Sequence, residues 1–272
     1  MEPAMFSVAS MFDASSSEDE KDEQAFVIRD HDFSGMVLHV REFSFHQVNA
    51  NLLWPGAVLF AEWIVEHHKL LEGRKVLELG SGTGALAIFL TKKYGLDVTT
   101  SDYDDVEIEN NIKLNCELNE LSALPHIRHT WGDVFPEENP QWDLIIASDI
   151  LLYVKQYANL ITTLSYLFRK YEPLKTAEDS SVGVNLQELD APEVSQKEEC
   201  LQLDPSSVAT RRGAAVEKLP RPCFLMSWRR RIPKADEALF FEGCKSAGFC
   251  VNDLGSRVYS IHPPLVEFTD GS

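Results

Sequence analysis

Basic residues are scarce in this 272-residue sequence: 25 Lys and Arg stand against 43 Asp and Glu, a formal net charge of −18. A surface so acidic repels phosphate backbones, so nucleic acid is not the expected partner, and a basic protein segment would be steered towards it instead. Long apolar runs are missing too. No stretch approaches the ~18 residues needed to cross a bilayer, and the opening MEPAMFSVASMFDASSSEDE lacks the basic and apolar regions of a secretory signal. Cysteine is sparse: Cys116, Cys200, Cys223, Cys244 and Cys250 are odd in number and contain no CxxC. They read as free thiols of a reducing compartment, cytosol or nucleus. The eight histidines include His67-His68 but no HExxH or other ligand spacing, so no metal site is expected.

What is present is an ordinary core, at 44% hydrophobic residues, flanked by biased segments. Residues 1–24 are rich in Ser and acid, with six acids against Lys21 from position 13 onward, and are expected to form a disordered tail. Residues 172–222 contain no Phe, Tyr or Trp and carry ten acids against six bases, which reads as a disordered insertion. A single domain is therefore expected from 25–171 and 223–268, and a monomer.

Two strands are expected at Phe26–Arg29 and Met36–Glu42, around the turn-like Asp30–Gly35. Trp54-Pro55-Gly56 opens a helix, since a first-turn proline loses no needed N–H, with Val58, Leu59, Trp63 and Val65 as its apolar side. From Lys75 strands and helices alternate. The expected strands are Lys75–Leu79, Asp97–Asp102, His126–Thr130, Trp142–Asp149, Cys223–Trp228, Phe249–Asp253 and Arg257–His262. A helix from about Asp105 has Asp104 and Glu107 in capping-box spacing and the pairs Ile108/Ile112 and Leu114/Leu118. A further helix follows from Tyr157, Leu160, Ile161, Leu164 and Phe168, and the last spans Lys234–Ala247. The pattern implies an α/β fold: a doubly wound, seven-stranded, mainly parallel sheet with an antiparallel last strand, preceded by a β-hairpin.

Four strand ends carry chemistry. After the strand Lys75–Leu79 comes Gly80-Ser81-Gly82-Thr83-Gly84, a GxGxG loop that lets a ligand approach backbone N–H groups. It differs from the dinucleotide GxGxxG, and Glu78 two residues before the first glycine suits a positively charged ligand; a purely structural turn is the alternative. Asp102 ends the second strand, where a carboxylate can accept both hydroxyls of a ribose or act as a surface or capping acid. Trp131 follows the third strand and can wall an adenine face or serve the core. The fourth ends in Ser148-Asp149. Arg229-Arg230-Arg231 could grip an acidic substrate, or form a solvated loop end.

ELGSGTG, SDYDD, TWGD and IIASD, in this order, resemble a class I S-adenosylmethionine-dependent methyltransferase, a Rossmann-like fold. With LWPGA upstream and the acid-plus-tyrosine after the fourth strand, the chain is similar to the family-16 protein lysine methyltransferases, a seven-β-strand methyltransferase-like group. The resemblance covers roughly 26–171 and 223–262. It implies S-adenosylmethionine as cofactor, lined by Trp54, Gly80, Ser81, Gly82, Gly84, Asp102, Trp131 and Ser148, with Glu78 near its amino-acid end. It also implies a protein substrate bearing the lysine, with Asp149 and Tyr153 on the acceptor side. The family's tyrosine stands three residues after the acid; here Leu152 holds that place and Tyr153 comes one later.

In-line methyl transfer depends on positioning. Because a carboxylate alone raises an amine's pKa, Asp149 is expected to orient an ammonium rather than deprotonate it, so that Asp149→Ala abolishes transfer and leaves cofactor binding within a few fold. Two alternatives stand: a methyltransferase for protein histidine or arginine or for a small molecule, and a non-catalytic cofactor-binding interaction protein. No (D/N)PPY stretch favours base methylation.

Overall fold

The computed structural model of the chain describes residues 26–173 and 218–265. The expected acidic tail and most of the expected insertion lie outside these residues.

Strands β1 (Phe26–Phe33) and β2 (Met36–Phe43) form an antiparallel hairpin. Its turn is only Ser34-Gly35, both at positive φ (50° and 84°), the two-residue geometry that matches the strands' own twist. The expected six-residue turn is corrected. Asp30 and His31 look like turn residues but pair across the strands, with His39 Nδ1 2.6 Å from Asp30 Oδ1 and His31 Nε2 3.1 Å from Glu42 Oε1.

Helix α1 (Pro55–Glu66) leads into β3 (Lys75–Leu79), α2 (Ala85–Tyr94), β4 (Asp97–Asp102), α3 (Val106–Leu118), β5 (His126–Arg128), β6 (Leu144–Ser148) and α4 (Tyr157–Arg169). After the gap come β7 (Cys223–Ser227), α5 (Lys234–Ser246), β8 (Cys250–Asp253) and β9 (Val258–His262). The seven-stranded sheet has the order β5-β4-β3-β6-β7-β9-β8. Five strands run parallel, and β9 is antiparallel to both β7 and β8. The chain winds outward from β3 to β5, then returns to β6 on the other side of β3. That reversal opens a crevice at the carboxyl ends of β3 and β6, where open α/β sheets bind ligands.

Helices cover both faces, so the central strands are apolar on both. Along β6, Leu144 and Ile146 join the core beneath the hairpin, α1, α2 and α3, while Ile145 and Ala147 pack with Leu160, Leu164, Phe168 and Phe240 under α4 and α5. Each fully buried Leu or Phe contributes on the order of 1.5–3 kcal/mol.

Two expected helix faces are corrected. On α1, Leu59 is half exposed, and Phe60, Ala61 and Ile64 are buried with Trp63. On α3, Leu114 and Leu118 are partly exposed while Asn111 and Asn115 are buried, followed by Asn119 just beyond the helix. The reason is the edge of β2, whose backbone groups need partners. Asn115 Oδ1 accepts from Arg41 N (2.7 Å) and Asn119 Oδ1 from His39 N (3.0 Å), while Asn111 donates to Arg41 O (3.2 Å). The N-cap of α3 is Asp105, not Asp104: its carboxylate accepts from Glu107 N at 2.8 Å.

At the sheet's opposite edge Asp143, just before β6, accepts from Lys75 N (3.0 Å), Tyr171 Oη (2.6 Å) and Arg221 Nη1 (3.3 Å). Buried Arg74 donates beside it to the carbonyls of Leu219 and Pro220. The chain before and after residues 174–217 is thus tied together at the amino edge of the strands.

Candidate active site

The glycine loop leaves β3 and is fastened to β4. Ser81 N donates to Ser101 O (3.1 Å), Ser81 Oγ to Glu78 O (3.0 Å), and Gly82 N to Asp102 Oδ2 (2.7 Å). Gly80 sits at φ 68°, and a Cβ there would stand 2.7 Å from Ile150 Cγ2 and 3.6 Å from Trp131 Cζ2, so glycine is required on both counts. Gly84, at φ 75°, starts α2 against Ile112. Asp102 is buried, and its other oxygen accepts from Tyr103 N at 2.7 Å. Burial pushes its pKa up, with the two amide bonds opposing.

A narrow cleft opens above this loop, lined by Trp54, Glu78, Gly80, Ser81, Gly82 and Ser148 among others. Thus six of the residues expected to meet the cofactor share one cavity. Gly84, Asp102 and Trp131 adjoin the same loop without lining the cleft. Glu78 is 2% exposed, and its Oε2 has no hydrogen-bond partner among the described residues. Burial, reinforced by the charge of Asp102 and opposed by a hydrogen bond with Ser81, raises its pKa to about 8.

Ser148 is the last residue of β6, and Asp149 turns the chain with φ 55°, a left-handed conformation that Asp tolerates better than most residues. Its N–H donates to Ser227 O (3.0 Å), and its side chain is 1% exposed. Oδ1 accepts from Arg229 N (2.6 Å); Oδ2 accepts from Gly56 N (2.8 Å) and Arg231 Nη2 (2.7 Å). A cation of the chain itself thus occupies the carboxylate expected to orient an ammonium. The same guanidinium lies 4.1 Å from the Trp54 ring centroid. Arg230 is also engaged, with Nε 2.6 Å from Glu237 Oε2. The arginine run is therefore no simple solvated loop end.

Leu152 is half-buried, whereas Tyr153, 46% exposed, has its Oη hydrogen-bonded by Asn49 Nδ2. Asn49 O in turn accepts from Trp54 Nε1 at 2.8 Å. Tyr153 thus reaches the loop that carries Trp54. Sequence reasoning missed Asn49, Gly56, Asn115 and the engagement of Arg231. Gly56 had a signal in LWPGA: a Cβ there would lie 2.4 Å from Asp149 Cγ, so the carboxylate rests flat on its Cα. Asn115 bridges the glycine loop to the hairpin, donating to Thr83 O at 2.9 Å. One group of possible metal ligands, His46, Asp105 and Glu107, occurs among the described residues; Asp105 caps α3 with Oδ1 and faces His46 Nε2 with Oδ2 at 3.4 Å.

A family model described as lysine methyltransferase matches residues 33–178, more than half of the chain. The chain belongs to this family. Curated relatives include the histone-arginine methyltransferase METTL23 of Xenopus laevis, 31% identical over 121 residues, 43% of this chain and 51% of that protein. The protein N-terminal and lysine N-methyltransferase efm7 of Aspergillus fumigatus is 29% identical, over 50% of this chain and 58% of its own. The electron transfer flavoprotein beta subunit lysine methyltransferase of Danio rerio is 34% identical over 36% of this chain and 37% of its own. The chain thus spans between about a third and three fifths of the length of these relatives. Among solved structures, a 16S rRNA N2 G1207 methyltransferase of T. thermophilus, in complex with AdoMet and guanosine, superimposes with a TM-score of 0.51. At 16% identity over 88% of this chain and 51% of that one, it shows the fold alone.

The cleft fits S-adenosylmethionine by its chemistry. The partnerless oxygen of Glu78 is buried where an ammonium would satisfy it, and the glycine loop lines the same cleft.

Proposed function

We propose that this chain is an S-adenosylmethionine-dependent methyltransferase acting on the side-chain amine of a protein lysine. The observation that carries the reading is the buried, partnerless carboxylate oxygen of Glu78 in the cleft at the β3–β6 switch point, in a chain of the lysine methyltransferase family. When bound, the donor supplies an electrophilic methyl on a sulfonium. Glu78 would hold its ammonium, Asp102 its ribose, and Trp131 an adenine face, while Trp54 and Ser148 separate the cleft from the acceptor side.

An acceptor lysine, with a reference pKa near 10.4, must lose a proton before it attacks. A lone carboxylate opposes that loss, but Asp149 also accepts from the amides of Gly56 and Arg229, which share its charge, so it orients the amine without acting as a strong base. Tyr153, at the mouth beside Asn49, supplies an aromatic flank. Cys116, Cys223 and Cys244 are buried free thiols, in keeping with a protein of the cytosol or nucleus. No described helix is long and apolar enough to cross a membrane. The acidic composition supports a basic protein segment as partner, and disfavours nucleic acid. We read the protein as a monomer.

Incubation with methyl-labelled donor and cell extract, followed by mass spectrometric mapping, tests the assignment: label on lysine is expected, and absence of label from every protein band would reject it. A second reading, a protein arginine as acceptor, has a specific observation behind it. The acceptor side already accommodates a guanidinium, and a relative is named a histone-arginine methyltransferase. The same mapping separates the two.

A further inference from the structure

Two cavities meet at Trp54. The inner one is the glycine-loop cleft; the outer, about 620 Å³, is lined by Leu52, Leu53, Trp54, Pro55 and Arg229, Arg230 and Arg231. Leu52, Leu53 and Trp54 belong to both walls. Ser148 lines the inner cleft, and the next residue, Asp149, bonds the outer cavity's Arg231. At that boundary the chain has set a cation against an aromatic face and a carboxylate at once, with 4.1 Å to the ring centroid and 2.7 Å to Oδ2.

We propose that Trp54 and Asp149 form an acceptor-cation subsite, and that Arg231 is its resident internal cation, an acceptor-selectivity residue that the substrate's charged side chain displaces. The biological meaning of this proposal rests on the methyltransferase reading above.

Three features support displacement over a permanent strut. The Arg231 side chain is 24% exposed and stands on the loop between β7 and α5, so its guanidinium has a path into water. Asp149 remains buried when it leaves, still holding two amides, and a buried carboxylate without its cation favours another cation over an empty site. Arg230, its neighbour, is fixed to Glu237 and does not compete. An uncharged side chain offers nothing in exchange for the broken ion pair and the lost cation–π contact. The subsite therefore selects ammonium and guanidinium side chains and rejects neutral isosteres.

The test uses the full chain and two small probes, Nα-acetyl-lysine methylamide and its neutral counterpart Nα-acetyl-norleucine methylamide, titrated by ligand-observed NMR. Arg231→Ala and Arg231→Gln should each bind the lysine probe about ten-fold tighter than wild type, the equivalent of one lost competing cation contact. The norleucine probe should not change, and Trp54→Leu added to Arg231→Gln should remove the gain. Equal or weaker lysine-probe binding by both variants overturns the proposal, as does a gain shared by norleucine. Thermal unfolding confirms which variants are folded. Titration of S-adenosylmethionine into the wild-type sample keeps the two readings apart: no donor binding sinks the methyltransferase assignment and leaves the cation comparison intact.

Discussion

Glu78 is the residue on which pH acts most directly. With its pKa raised to about 8, it is largely protonated in the ligand-free fold at pH 7, whereas in the unfolded chain it ionises near 4.3. Folding therefore retains a proton that unfolding releases, and this residue's contribution to stability falls as pH rises from about 4 to 8. Glu78→Gln should flatten that part of the melting-temperature profile. Pairing with a donor's ammonium favours the ionised form, so donor binding near pH 7 should expel up to one proton from the wild type and none from Glu78→Gln. Calorimetry in buffers of different ionisation enthalpy reads the difference, and equal proton release in both proteins would remove Glu78 from donor binding. Glu42 has the opposite sign. Burial alone would raise its pKa, but His31, the Leu53 amide and Arg29 outweigh burial and hold it below the usual value. Its contribution is present above about pH 4.3 and fades as pH falls through the lowered folded value. Glu42→Gln should accordingly lower the melting temperature at pH 7 and converge on wild type in acid.

At the scale of elements, three segments are pinned by one carboxylate. Asp149, at the end of β6, holds the amide of Gly56 in α1 and that of Arg229 after β7. Gly56→Ala would place a methyl 2.4 Å from Asp149 Cγ and must push the carboxylate away. Each buried donor left without a partner costs about 1–3 kcal/mol, so the urea midpoint should drop. Because Trp54 adjoins Gly56, donor affinity should drop with it. Asp149→Ala should likewise weaken donor binding beyond the few-fold expected from sequence alone; donor affinity at wild-type level in both variants would contradict this coupling. Asn115→Leu tests the other connection. It leaves Arg41 N and Thr83 O without their side-chain partner, and a loss on the order of 2 kcal/mol is expected at an unchanged urea dependence.

These same elements show what a sequence can disclose. The glycine loop, Asp102 and Ser148-Asp149 were legible because each is a local pattern at a strand end. The Asn111-Asn115-Asn119 ladder was not, since polar residues four apart look like a solvated face until β2 lies beside them. Arg231 was hidden for the same reason: its carboxylate partner is 82 residues away in the chain. The long apolar pairs of α3 misled because periodicity reports a face without saying which neighbour needs it.

Across the whole molecule, the strand β6 carries a carboxylate at each end. Asp143 gathers Lys75, Tyr171 and Arg221 at the amino edge, and Asp149 gathers Gly56, Arg229 and Arg231 at the carboxyl edge. Six residue steps of extended chain separate them, about 20 Å at roughly 3.3 Å per step, and they share no partner. Two sites so far apart should be energetically separable: the unfolding free-energy losses of Asp143→Ala and Asp149→Ala should add to within about 0.5 kcal/mol in the double variant. Chemical denaturation of the four proteins measures this, and a larger deviation would mean that β6 transmits strain between its ends. If the losses add, mutations can accumulate around the Asp143 knot without altering the acceptor side, and the two edges are free to diverge independently.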